Sequence, residues 1–474
     1  MLFNSISFFV FFPIVVLLYF LLPHKYRWLH LLIASCFFYM FFKPIYILIL
    51  FFTIVIDYYA GLFIEGEQDP KKKKKFLIIS IIANISVLAI FKYFNFLNSN
   101  IDGLFNLFNE KNPIPYLSIL LPIGLSFHTF QAMSYTIEVY RGNQKAETHF
   151  GIYALYVMYF PQLVAGPIER PQNILHQFHE KQFYNKERTL DGLRLMIWGF
   201  FKKIVIADRL ALCANEVFNN TTSYTGGPLI IGIIFFTFQI YCDFSGYSDI
   251  ARGASRIMGI ELMKNFNAPY LATSIKNYWS RWHISLSTWF RDYLYIPLGG
   301  SRGKKSKTYL NVLIVFIVSG FWHGANWTFI MWGLIHGLFN VASIAFSNQK
   351  ISKTIWINNI SKLLSWATTF AIVSIAWVFF RANNLNDAFY VLQNFYKIDV
   401  DHIVSIPIFS YFYFVSSVIF IVLLFTIEYF YDRGIIKYEF IKKRGWSFAY
   451  FLILFLLIYM FGFFEKQAFI YFQF

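Results

Sequence analysis

Long apolar runs, each close to the length of a bilayer-crossing helix, limit this chain to a membrane fold. A bilayer core roughly 30 Å thick needs about 20 apolar residues in a helix. Backbone polar groups in hydrocarbon must be satisfied internally, and no alternating ten-residue strand pattern is present, so the runs predict helices. We expect about eleven transmembrane helices, near residues 7–22, 29–42, 44–64, 76–97, 114–136, 150–166, 228–247, 309–346 (broken or paired), 363–380, 408–430 and 446–464.

The composition agrees with an all-α integral membrane protein. The 474 residues are 57% hydrophobic and 14% charged, whereas charged residues make up about a quarter of a soluble domain. The 41 Lys and Arg against 25 Asp and Glu give a net charge of +16, which on a multispanning protein favours basic cytoplasmic loops over nucleic-acid binding. The cysteines, Cys36, Cys213 and Cys242, lack the spacing of a zinc site or a disulfide framework.

Basic residues in the short loops predict the orientation in the membrane. Lysines 71–75 form the strongest cytoplasmic marker. Counting the spans back from this marker places the N-terminus outside. The run Ser7–Leu22 has no basic segment before it and no small-residue cleavage site after it, so we expect a retained span and not a signal peptide. We expect the basic cluster from Arg433 to Arg444 on the cytoplasmic side too.

The middle third of the chain departs from a simple helix bundle. Residues 189–212 place apolar positions at helical spacing, with four charged residues between 202 and 209 on the remaining positions. This pattern favours an interfacial or partly buried helix. Residues 250–306 are too polar to cross a bilayer and too apolar for a free loop. Polar backbone at membrane depth must be enclosed by protein or line a cavity, so we expect a re-entrant or cavity-lining region within a single domain.

Three histidines lie in or beside apolar stretches, where an ionisable side chain is expensive and calls for a partner or a task. They are His283 in RWHISLS, His323 in SGFWHGANW and His336 in WGLIHGL. The ordinary role for any one of them is a hydrogen-bonded core residue. His323 differs because Gly320 and Gly324 let the helix break or another backbone come close. An imidazole there can exchange a proton near neutral pH, as a general base must.

The polar residues that follow His283 leave several roles open. The cation of Arg291 would favour a neutral imidazole, although Asp292 could offset this effect. Ser287 lies one helical turn after His283, so a hydrogen bond within the helix is the ordinary alternative to a catalytic pair. No G-x-S-x-G elbow accompanies the serine, which argues against a hydrolase triad.

Two further motifs carry charge or anion-binding capacity. Gly299–Gly300, followed by basic residues, indicates either an anion-binding loop or a cytoplasmic anchor for lipid phosphate. Asp243 and Asp249 lie six residues apart around Gly246, too far for one helical face unless the helix breaks there. A metal site would need a third carboxylate nearby in the sequence. We expect instead salt bridges to arginines, namely Arg252, Arg256 or those within 281–302.

Eight segments, in order along nearly the whole chain, form a more specific pattern. They are FQAMSYTIEVYRG (130–142), FPQLVAGPIER (160–170), GFFKKIVIADRLA (199–211), FSGYSDIARGASRIMGIEL (244–262), NAPYLATSIKNYWSRWHISLSTWFRDYLYIPLGG (267–300), GFWHGANWTFIMWGLIHG (320–337), WVFFRA (377–382) and FIYFQF (469–474). With these segments the chain resembles the membrane-bound O-acyltransferase (MBOAT) superfamily. Within it, the resemblance is to the bacterial branch of alginate O-acetyltransferase membrane subunits.

The resemblance implies a ring of tilted helices around a central funnel, with re-entrant or interfacial helices and a catalytic core near 114–346. It maps the family's two signature histidines onto His283 and His323. Both are then expected to be catalytic, His323 as general base or transient acyl carrier and His283 in positioning a proton or the thioester, and His336 becomes structural. Seven further residues are expected to bind the substrate or donor or to line the funnel: Asp243, Ser245, Trp282, Ser287, Arg291, Trp322 and Asn326.

The resemblance also implies an activity and a cellular setting. The expected enzyme sits in the bacterial cytoplasmic (inner) membrane and passes an acetyl group from a cytoplasmic thioester, acetyl-CoA, outward for O-acetylation of a polysaccharide. We expect membrane lipid, the polysaccharide and an SGNH-hydrolase-like acetyltransferase as partners, with no nucleic acid, metal or bound cofactor. Two alternatives stay open. One is D-alanyl transfer to teichoic acids from a carrier-protein thioester, and the other is a transporter or flippase.

Overall fold

The protein is described by a computed structural model that covers residues 1–118, 121–163, 166–346, 355–398, 406, 410–435, 443–464 and 469–472, with backbone alone at 355–359, 444 and 472. Across these ranges every regular element is a helix, which confirms the all-α prediction. Most of the basic cluster between Arg433 and Arg444, and the last two residues of FIYFQF, lie outside the described ranges.

The described chain divides into two compact units. The first unit contains residues 1–196 and 248–263, and the second contains 197–247 and 264–474. Two of the three boundaries fall within the helices Lys186–Phe200 and Gly227–Ile257, and the third lies in the irregular segment after Ile257. The expectation of a single domain with a catalytic core near 114–346 stays a prediction.

The helices of the first unit are mostly short to medium in length. They are α1 (Ile6–Leu21), α2 (His24–Met40), α3 (Ile47–Gly66), α4 (Pro70–Leu88), α5 (Phe94–Leu107), α6 (Leu125–Tyr140), α7 (Phe150–Met158), α8 (Phe160–Leu163), α9 (Pro171–His179) and the start of α10 (Lys186–Phe200). A π-helical turn, Ala89–Tyr93, joins α4 to α5.

The second unit holds the remaining helices. They are α11 (Asp208–Asn219), most of α12 (Gly227–Ile257), α13 (Ile275–Trp279), α14 (Ile284–Phe290), α15 (Lys305–His323), α16 (Trp327–Ala345), α17 (Ile355–Arg381), α18 (Leu385–Asn394), α19 (Tyr411–Asp432) and α20 (Arg444–Phe461). Two π-helical turns, Phe201–Ala207 and Arg291–Tyr295, adjoin α11 and α14.

Several helices are long and apolar enough to cross a membrane, so the chain is a multi-pass membrane protein. Among the described residues six helices meet that measure: Pro44–Gly66, Pro70–Leu107, Gly227–Ile257, Trp327–Ala345, Ile360–Arg381 and Tyr411–Asp432. Two shorter apolar helices are Ile6–Leu21 and Gly445–Phe461. The predicted run 309–346 is indeed paired, as the hairpin of α15 and α16. Up to Leu163, the predicted run 150–166 consists of the short helices α7 and α8. Among its described residues, the predicted run 114–136 is helical only from Leu125, where α6 begins. The orientation of the spans stays a prediction.

A buried carboxylate joins three helices of the first unit. Helices α3, α4 and α6 pack against one another, and Asp57 of α3 is fully buried. Its carboxylate accepts hydrogen bonds from Ser80 Oγ at 2.6 Å and from Asn84 Nδ2 at 2.9 and 3.0 Å, both on α4. Ser80 Oγ also lies 3.0 Å from Thr136 Oγ1 of α6. Neutral donors thus satisfy a carboxylate that lipid could not solvate.

Close backbone contact sets the geometry of the hairpin in the second unit. A Cβ atom at Gly320 of α15 would lie 2.2 Å from the carbonyl oxygen of Phe329, and one at Gly333 of α16 would lie 2.2 Å from that of Phe316. Glycine is therefore required at both positions, because any side chain would force the helices apart. Helix α15 ends at His323, where Gly324 takes an extended conformation. The expectation that this region breaks and brings backbones close is confirmed.

The charged residues predicted on an interfacial or partly buried helix are enclosed by protein. Lys202 and Lys203 lie in the π-helical turn Phe201–Ala207, and their exposures are 3% and 1%. Asp208 and Arg209, which begin α11, are 2% and 7% exposed. The partly buried alternative therefore holds. A π-helical turn of this kind often marks a functional site.

The segment after α12 consists of short elements, as its mixed polarity predicts. After Ile257 the chain forms a 3₁₀ turn at Pro269–Leu271 and then the short helices α13 and α14. None of these elements is long enough to cross a bilayer. They carry His283 and Trp282 into the interior of the second unit, where both side chains are fully buried.

Candidate active site

His323 is the last residue of α15, and aromatic rings surround it. Its side chain is 3% exposed. The centroid of its ring lies 5.0 Å from those of both Trp322 and Trp332, and 5.5 Å from that of Phe380. The ring of Tyr471 completes this side of the shell, with its centroid 5.6 Å away. Such a shell orients the imidazole and keeps bulk water away from it.

His283 reaches the same region from another element. It precedes α14 in a left-handed conformation, with φ 42° and ψ 55°. A residue other than glycine rarely adopts this conformation, which costs on the order of 1–3 kcal/mol and is typical of functional sites. The edge of the imidazole packs against Phe244, with the ring centroids 4.7 Å apart. The centroids of the His283 and His323 rings are 6.5 Å apart.

Asn265 determines which nitrogen of His283 is basic. Both the backbone N–H and the Oγ–H of Ser285 donate to Asn265 Oδ1, at 3.2 and 2.9 Å. Two converging donors identify that atom as the carbonyl oxygen. His283 Nδ1, 3.1 Å from the same oxygen, therefore carries the proton and donates it. This tautomer leaves Nε2 as the basic nitrogen.

Burial keeps the His283 ring neutral. The side chain is fully enclosed, which lowers the pKa of His283 to about 3. The neutral ring offers Nε2 as a hydrogen-bond acceptor, while Asn265 holds the proton on Nδ1. The arrangement thus places two imidazoles, one of them neutral and in a defined tautomer, with their ring centroids 6.5 Å apart.

Comparison with known proteins identifies the family. Residues 143–380 match the model of the membrane-bound O-acyltransferase family, MBOAT. The chain is 39% identical over 389 residues to the probable alginate O-acetylase AlgI of Pseudomonas aeruginosa. The aligned region covers 81% of this chain and 72% of that protein. The chain belongs to the membrane-bound O-acyltransferase family. It is therefore an acyltransferase.

Two further relatives of this membrane-bound O-acyltransferase differ in how much of the chain they match. The peptidoglycan O-acetyltransferase of Helicobacter pylori is 39% identical over 427 residues, covering 83% of this chain and 79% of the relative. The teichoic acid D-alanyltransferase of Bacillus subtilis is 26% identical over 309 residues, covering 62% and 73%. The two relatives named for O-acetylation are thus more similar to this chain and match more of its length.

Two tryptophans predicted as site residues lie within or next to the aromatic shell of the acyltransferase. Trp322 directly contacts the His323 ring. Trp282 is fully buried and packs against Trp377, with the ring centroids 5.1 Å apart. Trp377 in turn stacks on Trp332, which contacts His323. The predicted roles of both tryptophans in binding or lining stay predictions.

Three other predicted residues have local structural partners. Ser287 Oγ donates to the carbonyl oxygen of Trp282 at 3.1 Å, so its side chain does not form the expected bond to His283. The Arg291 side chain is 60% exposed and pairs with its neighbour Asp292 at 2.7 Å. Asn326 caps α16, because its side chain accepts from the backbone N–H of Thr328. These contacts favour structural roles for the three residues.

The two aspartates of α12 have different partners. Asp249 pairs with Arg252 at 3.4 Å, as predicted. Asp243 instead pairs with Lys203 at 2.7 Å, so the prediction of an arginine partner for Asp243 was wrong. Residue spacing near Asp243 cannot predict this pair, because Lys203 lies on a distant part of the sequence. Helix α12 does not break at Gly246 but continues through it. Glycine is required there because a Cβ atom would lie 2.8 Å from the carbonyl oxygen of Gly199.

The neighbouring residue Ser245 contacts the same π-helical turn as Asp243. Its Oγ accepts a hydrogen bond from Lys202 Nζ at 3.0 Å, within the protein interior. Ser245 thus provides one neutral oxygen to a buried cation. Its predicted role in the funnel stays a prediction.

His336 has the environment of a core residue. It is fully buried in α16, and its Nδ1 accepts a hydrogen bond from Trp279 Nε1 at 3.3 Å. Its ring stacks on Tyr278 with an interplanar angle of 6°. These contacts agree with the structural role that the resemblance implied.

The glycine pair after α14 offers no free backbone donors to an anion. The N–H groups of Gly299 and Gly300 donate to the carbonyls of Ile296 and Tyr295, and that of Arg302 donates to Gly299. These three N–H groups are therefore already bonded within the loop. The choice between an anion-binding loop and a lipid anchor stays a prediction. As for a metal, no three His, Cys, Asp or Glu side chains gather into a candidate site among the described residues.

Sequence reasoning did not single out Asn265, Trp332, Phe380 or Tyr471 as site residues. Phe380 and Tyr471 lie in the segments WVFFRA and FIYFQF, so the pattern of family segments carried a signal for them. Asn265 lies outside every such segment. Only the folded chain brings it to His283.

Proposed function

We propose that this acyltransferase passes an acetyl group from acetyl-CoA, on the cytoplasmic side of a bacterial inner membrane, to hydroxyl groups of an extracytoplasmic polysaccharide. The proposal draws on the 39% identity to relatives named for alginate and peptidoglycan O-acetylation. It also draws on the neighbouring imidazoles of His283 and His323, 6.5 Å apart between ring centroids. The paired imidazoles are the observation that carries it, because acyl transfer to a hydroxyl needs a base.

In the proposed reaction His323 acts as the general base. It takes the proton of the acceptor hydroxyl while the hydroxyl oxygen attacks the thioester carbonyl. The new C–O bond forms, the C–S bond breaks, and the coenzyme A thiolate leaves and takes the proton from His323, which returns to its neutral form. A well-placed base contributes about 10²- to 10⁴-fold to such a rate.

His283 has a supporting role in this proposal. Its basic Nε2 and its fixed tautomer suit it to hold a proton or the thioester in place during the transfer. The hydrogen bond from Nδ1 to Asn265 keeps that orientation. We expect a partial to severe defect in His283→Ala.

The test replaces His323 and uses His336 as a matched control. Membrane vesicles from the native host are supplied with acetyl-CoA carrying labelled acetate, and alkali-labile label in precipitated polysaccharide is counted. His323→Ala should lose at least about 10²-fold in transfer at unchanged protein level. His336→Ala, another buried histidine of the same hairpin, should retain transfer per folded molecule. Normal transfer by His323→Ala would show the site assignment to be wrong.

The same vesicles separate the competing activities. If a D-alanyl carrier-protein thioester supports esterification and acetyl-CoA does not, the chain is a D-alanyl transfer subunit. If the purified protein moves a glycan or its precursor across liposomes without making or breaking an ester, it is a transporter. The lower identity and coverage of the D-alanyltransferase relative favour the acetyl donor.

We further propose that an SGNH-hydrolase-like acetyltransferase completes the transfer outside the membrane. Its serine hydroxyl would receive the acetyl group before the polysaccharide does. Detergent extracts of the native host should yield this partner with the chain. Label reaching polysaccharide in vesicles that lack any such protein would contradict the proposal.

A further inference from the structure

A buried ionic cluster in the second unit has no part in the reaction described so far. Lys203 Nζ lies 2.7 Å from Asp208 Oδ1 and 2.7 Å from Asp243 Oδ1. All three side chains are at most 4% exposed. Burying charges carries a large desolvation cost, so a cluster with one cation and two carboxylates is a weak way to gain stability. The geometry of the cluster indicates that it holds another part of the backbone in place.

The second oxygen of Asp243 binds a distant piece of backbone. The N–H of Ile470 donates to Asp243 Oδ2 at 2.7 Å, in the protein interior. Ile470 begins a 3₁₀ turn, where the first N–H groups have no partner within the helix. A carboxylate acceptor makes this bond charge-assisted and stronger than a neutral one. Lys203 holds the other oxygen, and so directs Oδ2 at Ile470.

The segment that Asp243 holds is Phe469–Tyr471, which packs against the candidate active site. Phe469 and Ile470 are 0% and 2% exposed. The ring centroid of Phe469 lies 4.7 Å from that of Tyr247. Tyr471 lies against Phe244 on one side and His323 on the other, with centroid distances of 4.7 and 5.6 Å.

The anchored N–H and the Tyr471 ring belong to consecutive residues. A shift of the backbone at Ile470 would therefore displace Tyr471 from His323. A misplacement of about 1 Å near reacting groups can cost about 10²-fold in rate. The bond to Asp243 thus links the ionic cluster to the environment of the catalytic imidazole.

We propose that Asp243, oriented by Lys203, is a positioning residue that anchors Phe469–Tyr471 so that the Tyr471 ring forms one side of the shell around His323. We propose this positioning role in place of the substrate-binding or funnel-lining role predicted for Asp243 from the sequence. The effect on activity rests on the proposed acyl transfer, but the anchoring itself does not.

The first experiment measures anchoring without any assay of activity. In the full-length protein, Ile470→Cys places a thiol at a position that is 2% exposed and keeps the backbone N–H. The rate at which a fluorescent maleimide labels this thiol is measured. The labelling of the same protein with Ile470 unchanged is subtracted, because Cys36, Cys213 and Cys242 also react. We expect slow labelling in the parent and at least tenfold faster labelling when Asp243→Ala is added. Asp243→Asn, which keeps an oxygen acceptor, should restore the protection.

The second experiment measures the catalytic consequence in host vesicles at varied acetyl-CoA concentration. Asp243→Ala should lower kcat about 10- to 100-fold, because Tyr471 is misplaced, with KM for acetyl-CoA within about threefold. Asp243→Asn should recover most of kcat. Asp249→Ala removes a carboxylate from the same helix, where it pairs with Arg252, and serves as the matched control with neither effect.

Each outcome decides the proposal. Continued protection of position 470 in Asp243→Ala overturns it, and so does exposure of position 470 with kcat unchanged.

If Asp243→Ala does not fold, Ile470→Pro tests the same hydrogen bond by removing its donor N–H. Position 470 is the first residue of a helical turn, where proline is tolerated. Ile470→Ala, which keeps the N–H, is its control, and equal kcat in the two variants overturns the proposal. If parent vesicles transfer no acetate, the proposed function fails while the labelling result still decides the anchoring.

Discussion

The contact between Gly320 and Gly333 gives a prediction whose size follows from the coordinates. In Gly333→Ala the new Cβ would lie 2.2 Å from the carbonyl oxygen of Phe316, whereas real Cβ atoms keep at least 3.0 Å. Helices α15 and α16 must therefore separate by roughly 0.8 Å at this point. Both clashing atoms belong to helical backbone, so no side-chain rotation can relieve the contact. Overpacking of this kind costs about 1–3 kcal/mol.

The separation should affect activity as well as stability. Helix α15 ends in His323, and Trp332, the neighbour of Gly333, contacts the His323 ring. A displacement near 1 Å between reacting groups lowers rates by about 10²-fold. We expect Gly333→Ala to lower acetyl transfer about 10- to 100-fold on this basis.

Gly337→Ala is the matched control for this prediction. It adds the same methyl group four residues later on α16, where the nearest atom is Leu313 Cδ2, a flexible side-chain atom, at 3.1 Å. Alanine's higher helix propensity stabilises both variants by about 1 kcal/mol, so their difference reports the clash. Thermal unfolding in detergent and transfer in vesicles are measured for both. Equal melting temperatures and equal transfer would refute the reasoning.

Two predictions concern buried polar residues. Asn265→Ala removes the acceptor that fixes the His283 tautomer, and should lower transfer about 10- to 100-fold with the protein still folded, as measured in host vesicles and by gel filtration. Asn84→Leu removes a donor to the buried Asp57 carboxylate, and should destabilise the protein by about 1–3 kcal/mol, as measured by thermal unfolding. Full transfer in the first variant, or unchanged melting in the second, would contradict these roles.

Most of the long helices could be predicted from the sequence because they depend on local pattern, but the predicted runs 114–136 and 150–166 are only partly helical or form short helices. The apolar run around His323 and the glycines at 320 and 324 predicted a break, and α15 ends there. The high cost of ionisable groups in apolar surroundings pointed to His283, His323 and His336 alike. The family resemblance selected the first two, whose ring centroids lie 6.5 Å apart.

The partners of these residues could not be predicted, because they come from distant parts of the chain. Lys203 binds Asp243, although several arginines lie closer in sequence. Asn265 reaches His283 through a short irregular segment that has no periodic pattern. Tyr471 reaches His323 through the anchored segment. Nothing in local spacing distinguishes these contacts from their alternatives.

The neutral donors around Asp57 have a consequence for how the chain holds together in the membrane. An aspartate at the centre of an isolated helix opposes insertion by roughly 2.5–3.5 kcal/mol, and here the compensating groups are Ser80 and Asn84 on the following helix. The rest of the span Pro44–Gly66 is apolar enough to offset this cost, with a mean hydropathy of 2.3. The contact therefore acts after insertion, because separating α3 from α4 in lipid would leave Asp57 without its donors.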